Sequence, residues 1–286
     1  MGLQRTCMAF FLLVVLAGAS TGCLLGGDEG EPPIYVAITI DTERDYPPYF
    51  DTYRGIDEGI PRLTALLDEY GVRATFFVTG MVALHRPDVV RDLALSHEVG
   101  CHSLYHNEAL YSLSYEEKEE RMAAATQLLE ALVGKPIVSF RSPYHSGDTD
   151  LMHILEDLGY TSEGSARKAG SYPYHPASDD WNVPGDMDIL RIPVSNVPSY
   201  CYSFFLYDSS FVTAYEYAVA AQATRDVTVV VIGLHPWEFC EMDTGNELWD
   251  RICGDVTYTM LADLFAYLSD KNVRYVTYAE IVELFS

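Results

Sequence analysis

Two histidines in the stretch "VGCHSLYH" stand four residues apart, at His102 and His106. Imidazole nitrogens are common ligands of divalent cations, and this spacing can direct both rings at one ion if the chain makes a helical turn. The same spacing arises when one histidine is a hydrogen-bonded residue at a strand end and the other is an unrelated surface residue. The pair alone therefore leaves a metal site as one of two open interpretations.

Three acidic residues, Asp41, Glu43 and Asp45, follow the apolar run "IYVAITI". Asp41 and Glu43 lie on one side of the chain if strand geometry persists. One carboxylate could then complete a metal site, and the other could accept a proton from water. A solvated acidic loop is the alternative, because the chain contains 42 Asp and Glu residues.

Two further motifs carry groups that are able to do chemistry. "FRSPYH" places Arg141 before a Pro143–Tyr144 turn, so a fixed positive charge could orient a carboxylate next to an exposed backbone N–H. "GLHPWEF" places His235 after a very apolar run, where a histidine is either a hydrogen-bonded core residue or a general acid. For the first motif, a purely structural turn is the alternative.

These residues need a scaffold, and from residue 34 onward strand-like runs alternate with helical patterns. This alternation predicts an α/β domain whose parallel sheet is closed, or nearly closed, into a barrel. In such barrels the active-site residues follow the carboxyl ends of the strands, which is where the motifs above stand. The predicted strands are "IYVAITI", "VRATFFVTG", "HEVGC", "IVSF", "DILRIPV", "VTVVVIGL" and "VRYVTY". The predicted helices are "GIPRLTALLDEYG", "PDVVRDLALS", "SYEEKEERMAAATQLLEALVG", "DTDLMHILEDLG", "SFVTAYEYAVAAQA", "YTMLADLFAYLSD" and "AEIVELF".

Charge and composition narrow the classes of partner. The chain has 18 Lys and Arg against 42 Asp and Glu, a formal net charge of −24. Binding to nucleic acid or to anionic lipid headgroups needs clustered cations, so neither is expected as a partner. A hydrophobic fraction of 49% predicts a sizeable folded core, and we expect a monomer.

The first 33 residues have a different composition. Residues 1–22 have one early cation and a short apolar core, which is typical of a signal peptide. Residues 23–33 begin with Cys23, in a context similar to a lipobox, and continue as a flexible tether. We expect the folded part to lie outside the cytoplasm, anchored to the outer face of the cell membrane through Cys23. A plain signal peptide and an uncleaved anchor are the alternatives.

Two cysteines, Cys240 and Cys253, bracket a polar segment. They could close it as a disulfide in an oxidising compartment, or they could be free thiols. Their Cα separation decides between the two, and the sequence does not give it.

Five short motifs, taken in order, resemble those of the polysaccharide deacetylases, carbohydrate esterase family 4. They are "ITIDTERD", "HSLYH", "RSPYH", "SDDW" and "LHPW", of which the second and third are the most specific. The resemblance implies a single catalytic domain over residues 34–286, folded as a distorted (β/α)7-8 barrel. It also implies a divalent metal, Zn²⁺ first with Co²⁺ or another divalent ion as alternatives, held by one carboxylate and two histidines.

The first motif departs from the family pattern. Most members carry two adjacent aspartates there, a base followed by a metal ligand, whereas this chain has Thr42 at the second position. Asp41-Thr42-Glu43 is similar to the Asp-x-Glu arrangement of some members. We therefore assign Asp41 as the base and Glu43 as the metal ligand beside His102 and His106, with Asp45 as the alternative ligand.

The resemblance also implies roles for the remaining motif residues. Arg141 would orient the base, the backbone N–H of Tyr144 would bind the oxyanion, and His235 would be the general acid. Asp180, with Trp181, would pair with His235 or form part of the substrate wall. The expected sugar-contacting aromatic residues are Tyr144, Trp181 and Trp237.

The expected reaction is metal-dependent removal of acetyl groups from N-acetylated or O-acetylated sugars of a cell-surface or extracellular polysaccharide or oligosaccharide. One alternative is amide hydrolysis on a small molecule, as in the deacetylase-like allantoinases. Another is a surface carbohydrate-binding module without catalysis.

Overall fold

The structure is a computed structural model and describes residues 32–45, 51–165, 172–195 and 210–286. The expected signal peptide, the lipobox cysteine Cys23 and most of the tether lie outside these residues. Within the described ranges, every helix is too short or too polar to cross a bilayer. The folded unit begins at Pro32 and continues to Ser286.

A parallel sheet forms the centre of this unit, and all its pairings join strands in the same direction. Its order is β6-β5-β4-β3-β2-β1-β7. The strand β8 pairs with the first three residues of β1, and β2 pairs with the last four. The strands are β1 Ile34–Thr42, β2 Thr75–Val78, β3 Glu98–Cys101, β4 Ser139–Phe140, β5 Ser162–Glu163, β6 Leu190–Arg191, β7 Val229–Leu234 and β8 Val273–Tyr275.

The sheet curls so that its two ends approach each other. Ser195, just beyond β6, donates its backbone N–H to the carbonyl of Val231 in β7 at 3.0 Å. The Val231 N–H in turn donates to Ser195 Oγ at 3.0 Å. These bonds join the two ends of the sheet, so the predicted single-domain (β/α)7-8 barrel is confirmed.

Helices cover the outer face of the barrel. They are α1 Ile60–Glu69, α2 Gly80–His85, α3 Pro87–Ser96, α4 Tyr115–Val133, α5 Thr149–Asp157, α6 Phe211–Ala220, α7 Glu247–Ile252, α8 Asp255–Leu268 and α9 Tyr278–Phe285. The ends of α4 lie where its sequence predicts them. Ser114 and Glu117 form a reciprocal capping box at its start, and Gly134 ends the helix at φ 74°. α2 and α7 were not predicted, since six residues are too few for a clear helical period.

Side chains along β1 point alternately into the barrel interior and towards the outer helices. Val36, Ile38 and Ile40 pack into the core beneath the helices, whereas Ala37 packs with interior residues such as Phe77. Successive side chains on a strand point to opposite faces. Continued past Ile40, the same alternation places Asp41 on the interior side.

One sequence prediction about local structure is wrong, and two questions that the sequence left open are answered. The predicted strand "DILRIPV" forms a strand only at Leu190–Arg191, because its neighbour β5 has just two residues with which to pair. The segment from His102 to His106 is a loop and not a helical turn, with Ser103 in the left-handed region at φ 65°. Cys240 and Cys253 are buried free thiols.

Candidate functional site

The carboxyl edge of the barrel gathers most of the predicted chemical groups. Asp41 lies at the end of β1, and Glu43 follows it directly. His102 follows β3, Arg141 follows β4, and His235 follows β7. Since parallel strands end at one edge, residues that are far apart in the sequence meet there.

Glu43, His102 and His106 form a group with the composition of a metal site. Each offers one ligand atom, and these atoms all lie within 4.8 Å of one another. His102 Nε2 is 3.5 Å from Glu43 Oε2, and His106 Nε2 contacts the same oxygen. That buried oxygen accepts no regular hydrogen bond from any described residue. Two imidazole nitrogens converging on one buried carboxylate oxygen fit a divalent cation.

The hydrogen bonding of His102 selects the nitrogen that faces this group. His102 Nδ1 lies 2.7 Å from the carbonyl oxygen of Arg141, so Nδ1 carries the proton and donates it. The Nε2 lone pair is then free to act as a ligand. Such a bond to the second ring nitrogen is the usual way in which a protein orients a metal-binding histidine.

The structure distinguishes between the two candidate carboxylate ligands. Asp45 accepts hydrogen bonds from Thr52 Oγ1 at 2.6 Å and from the backbone N–H groups of Arg54 and Gly55, each at 2.7 Å. Its carboxylate therefore anchors the chain that leads into α1 and stands apart from the histidines. Burial raises the pKa of Glu43, but His106 and His102 lower it overall to about 2, which keeps this carboxylate ionised.

Asp41 forms a buried ion pair beside the metal-type group. Arg141 Nη1 donates to Asp41 Oδ1 at 2.7 Å, and Arg141 is fully buried. Burial raises the pKa of Asp41, but the Arg141 charge and nearby histidines outweigh burial and hold it well below its usual range. The predicted orientation of Asp41 by Arg141 is therefore present in the structure.

His235 is paired with a carboxylate that the sequence reasoning missed. Its Nδ1 lies 2.8 Å from Oε1 of the fully buried Glu238, and its Nε2 lies 3.7 Å from Glu43 Oε1. Burial lowers the pKa of His235, but Glu238 and the site carboxylates raise it overall to about 9. The three-residue spacing within "HPWEF", in a short turn after a proline, was the signal that could have indicated Glu238.

The expected pairing of Asp180 with His235 is wrong. Asp180 lies in an exposed turn, where its Oδ1 accepts a hydrogen bond from the backbone N–H of Asn182 at 2.9 Å. Glu238 lies only three residues after His235 and reaches it through one short turn, so no distant loop is needed to supply the carboxylate.

The three predicted sugar-contacting aromatic residues differ in accessibility. Tyr144 is 53% exposed, and its ring meets that of His106 edge-on at a centroid distance of 4.5 Å. Trp181 is half-buried, with the Arg191 guanidinium 3.9 Å from its ring centroid. Trp237 is only 3% exposed and stacks on His235, so its predicted role in binding sugar is wrong. Its ring packs against the His235 imidazole instead.

The backbone beside the site has an uncommon conformation. Among the described residues, those other than glycine with positive φ are Ser103 at 65°, Tyr144 at 55° and His145 at 53°. All three lie in the loops that carry the candidate site. The Tyr144 N–H donates to no acceptor in the described part of the chain, and it is therefore available to a ligand oxygen.

Comparison with known proteins places these residues in context. Residues 29–162 match the family model described as "Polysaccharide deacetylase". A chitin deacetylase of Cryptococcus neoformans is 28% identical over 127 residues, which are 44% of this chain and 27% of that protein. A peptidoglycan-N-acetylglucosamine deacetylase of Bacillus cereus is 28% identical over 165 residues, which are 57% of this chain and 68% of that protein. The chain thus matches only about a quarter of the length of the fungal relative.

Solved structures with the same fold have more than one activity. A Mycobacterium smegmatis protein described as a polysaccharide deacetylase has a TM-score of 0.65 at 19% identity, covering 90% of this chain and 91% of that one. An allantoinase has a TM-score of 0.63 at 16% identity, covering 89% and 91%. A carbohydrate esterase family 4 pseudoenzyme of Bacillus anthracis has a TM-score of 0.53 at 14% identity, covering 88% and 66%. At these identities the likeness shows the fold.

Proposed function

We propose that this chain is a member of the polysaccharide deacetylase family, whose model its residues 29–162 match, and that it hydrolyses acetyl groups on N-acetylated or O-acetylated sugars. One observation carries the proposal. The buried Asp41–Arg141 pair stands at the same strand edge as the converging Glu43, His102 and His106 side chains. A proton acceptor next to a metal-type group is an arrangement that can catalyse the hydrolysis of an acetyl group.

Glu43, His102 and His106 are the residues that would hold the divalent cation, with Zn²⁺ proposed first and Co²⁺ as the alternative. The bound cation would act as a Lewis acid towards the acetyl carbonyl and the attacking water. Three protein ligands leave coordination positions open, as catalytic sites of this type do. The ligand set by itself suits several divalent ions.

The remaining groups move protons and bind charge. Asp41, held by Arg141, accepts a proton from the attacking water as the new C–O bond forms. The Tyr144 N–H donates to the oxyanion that develops on the acetyl carbonyl. His235 donates its proton to the leaving sugar nitrogen, or oxygen, as its bond to the acetyl carbon breaks. The products are acetate and the deacetylated sugar.

Substrate location follows from the sequence of the N-terminal region. We propose that the domain acts outside the cytoplasm on a cell-surface or extracellular polysaccharide, anchored through a lipid on Cys23. The apolar segment of residues 1–22 and the lipobox-like context of Cys23 support this proposal. We also propose that it acts as a monomer.

Two alternatives are distinguished by specific observations. The fold likeness to an allantoinase keeps amide hydrolysis of a small molecule as a second candidate. A role as a non-catalytic binding module is less well supported, because Asp41, Arg141 and His235 are present and paired as the reaction needs.

The first prediction is acetate release that depends on metal. Chelated protein should release no acetate from N-acetylated chitooligosaccharides or peptidoglycan, and stoichiometric Zn²⁺ or Co²⁺ should restore release. His102→Ala is the control, since it should stay inactive after metal is added. Hydrolysis of allantoin with no acetate from any glycan would favour the second candidate, and no activity on any of these substrates would contradict the proposed reaction.

A second prediction concerns the carboxylate behind the general acid. Glu238→Gln should lower kcat about 10²-fold, because His235 would lose the anion that keeps it oriented and protonated. KM should change less than kcat, since Glu238 is buried and does not face the substrate. Asp180→Asn is the matched control and should leave kcat unchanged. A large effect of Asp180→Asn with none from Glu238→Gln would restore the original assignment.

A further inference from the structure

The guanidinium of Arg141 is held inside the barrel by three acceptors on different elements. Its Nη1 donates to Asp41 Oδ1 at 2.7 Å, and its Nε donates to the Gly164 carbonyl at 3.0 Å. Its Nη2 donates to the Tyr278 hydroxyl at 2.8 Å. The planar fork of an arginine has a fixed geometry, so the position of the whole group depends on each acceptor.

The Tyr278 hydroxyl is itself fixed by a second bond. It donates to the Ile192 carbonyl at 2.9 Å, so its oxygen lone pairs face Arg141. The fully buried Tyr278 ring packs edge-on against Phe77 at 5.0 Å. A Cβ at Gly164 would come within 2.7 Å of the Tyr278 ring, and glycine at that position makes room for it.

Tyr278 reaches this position from the opposite end of the barrel. It is the first residue of α9, and its backbone N–H donates to Thr75 Oγ1 at the start of β2. The next N–H, of Ala279, donates to Glu98 Oε2 at the start of β3. Because β2 and β3 begin at the edge remote from the site, the helix start is attached there. The side chain then extends through the interior towards the residues that follow the strands.

We propose that Tyr278 is a positioning residue that sets the orientation of Arg141, and through it that of Asp41, for the hydrolysis proposed above. The inference therefore rests on the proposed function for its catalytic readout. It assigns a role to the C-terminal helix, which lies beyond the residues 29–162 that match the family model. With the hydroxyl absent, the buried Nη2 loses its acceptor, and the guanidinium moves to find another.

The test is Tyr278→Phe in the full chain, because phenylalanine keeps the ring contacts and removes only the hydroxyl. We expect kcat to fall about tenfold from misplacement of the base, with KM within about twofold. Bound metal should remain close to that of the unsubstituted protein, and the midpoint of thermal unfolding should fall about as far as in the control variant below, because each substitution removes one buried hydroxyl. The matched control is Tyr160→Phe, which removes a buried hydroxyl bonded to Thr126 on the helical side of the sheet. That control should leave kcat unchanged.

A second readout does not depend on turnover. The side-chain Nε–H resonance of Arg141, identified by its loss in Arg141→Lys, should exchange with solvent about tenfold faster in Tyr278→Phe. Unchanged kcat, or unchanged exchange, would overturn the positioning role. So would equal losses of kcat in Tyr278→Phe and Tyr160→Phe, since these would indicate a general effect on stability. If the protein releases no acetate from any glycan, the proposed function fails, and the exchange rate still decides the role of Tyr278.

Discussion

Glu43→Ala should abolish stoichiometric binding of the divalent cation and all acetate release with it. The reason is geometric, because Glu43 Oε2 is the buried oxygen on which His102 and His106 converge. With only two imidazoles left, the site loses its anionic ligand and the charge that favours a cation. Metal content after dialysis, measured by elemental analysis, and titration calorimetry with Zn²⁺ check the expectation.

Asp45→Asn is the matched control for the ligand assignment. It should retain one metal ion per chain while unfolding at a lower temperature. Asp45 serves the backbone N–H groups of Arg54 and Gly55, and a neutral amide is a weaker acceptor for them. Full metal content in Glu43→Ala, with loss of metal in Asp45→Asn, would transfer the ligand role to Asp45.

Asp41→Asn should lower kcat about 10³-fold while the metal stays bound, because an amide cannot accept the proton of the attacking water. The substitution should also lower the free energy of unfolding by about 3 kcal/mol, since the buried Arg141 loses its anionic partner. Single-turnover acetate release, metal content and denaturant unfolding measure the three effects separately.

The barrel contains a second buried ion pair that serves as a control. Arg191 Nε donates to Glu163 Oε2 at 2.7 Å, and both side chains are fully buried. Glu163→Gln should therefore cost about as much stability as Asp41→Asn, roughly 3 kcal/mol, and change kcat far less. Similar losses of kcat in both variants would mean that Asp41 acts through stability and does not accept the proton.

Much of the fold could be predicted from local pattern. The capped helix α4 and the continuous apolar strand β7 carried clear signals, and strand-helix alternation indicated the barrel. The candidate metal group was also within reach of the sequence. Glu43 and His102 sit directly after strands, so the rule for parallel barrels places them at one edge. The choice of Glu43, His102 and His106 as one ligand set came from the resemblance to the polysaccharide deacetylases.

The wrong predictions concern two kinds of side chain. One kind has a partner that lies outside its own sequence motif, and the other is buried by packing that the sequence does not reveal. "SDDW" contains a carboxylate and a tryptophan, but the turn at Asn182 uses Asp180 locally, while Glu238 already occupies the position next to His235. Trp237 was expected at the surface, yet it is buried behind His235. The contact between Tyr278 and Arg141 spans 137 residues, and no periodicity in the sequence encodes it.

The left-handed backbone at Ser103, Tyr144 and His145 has a consequence for recognition. Each such residue carries a conformational penalty of about 1 kcal/mol or more, which the surrounding barrel sustains before any sugar arrives. Folding itself therefore sets the conformation of these loops, and binding of a ligand requires little further ordering of them. We expect selectivity among acetylated sugars to depend on how well each sugar fits the preformed shape of these loops. Adaptation of the loops to the sugar should contribute little.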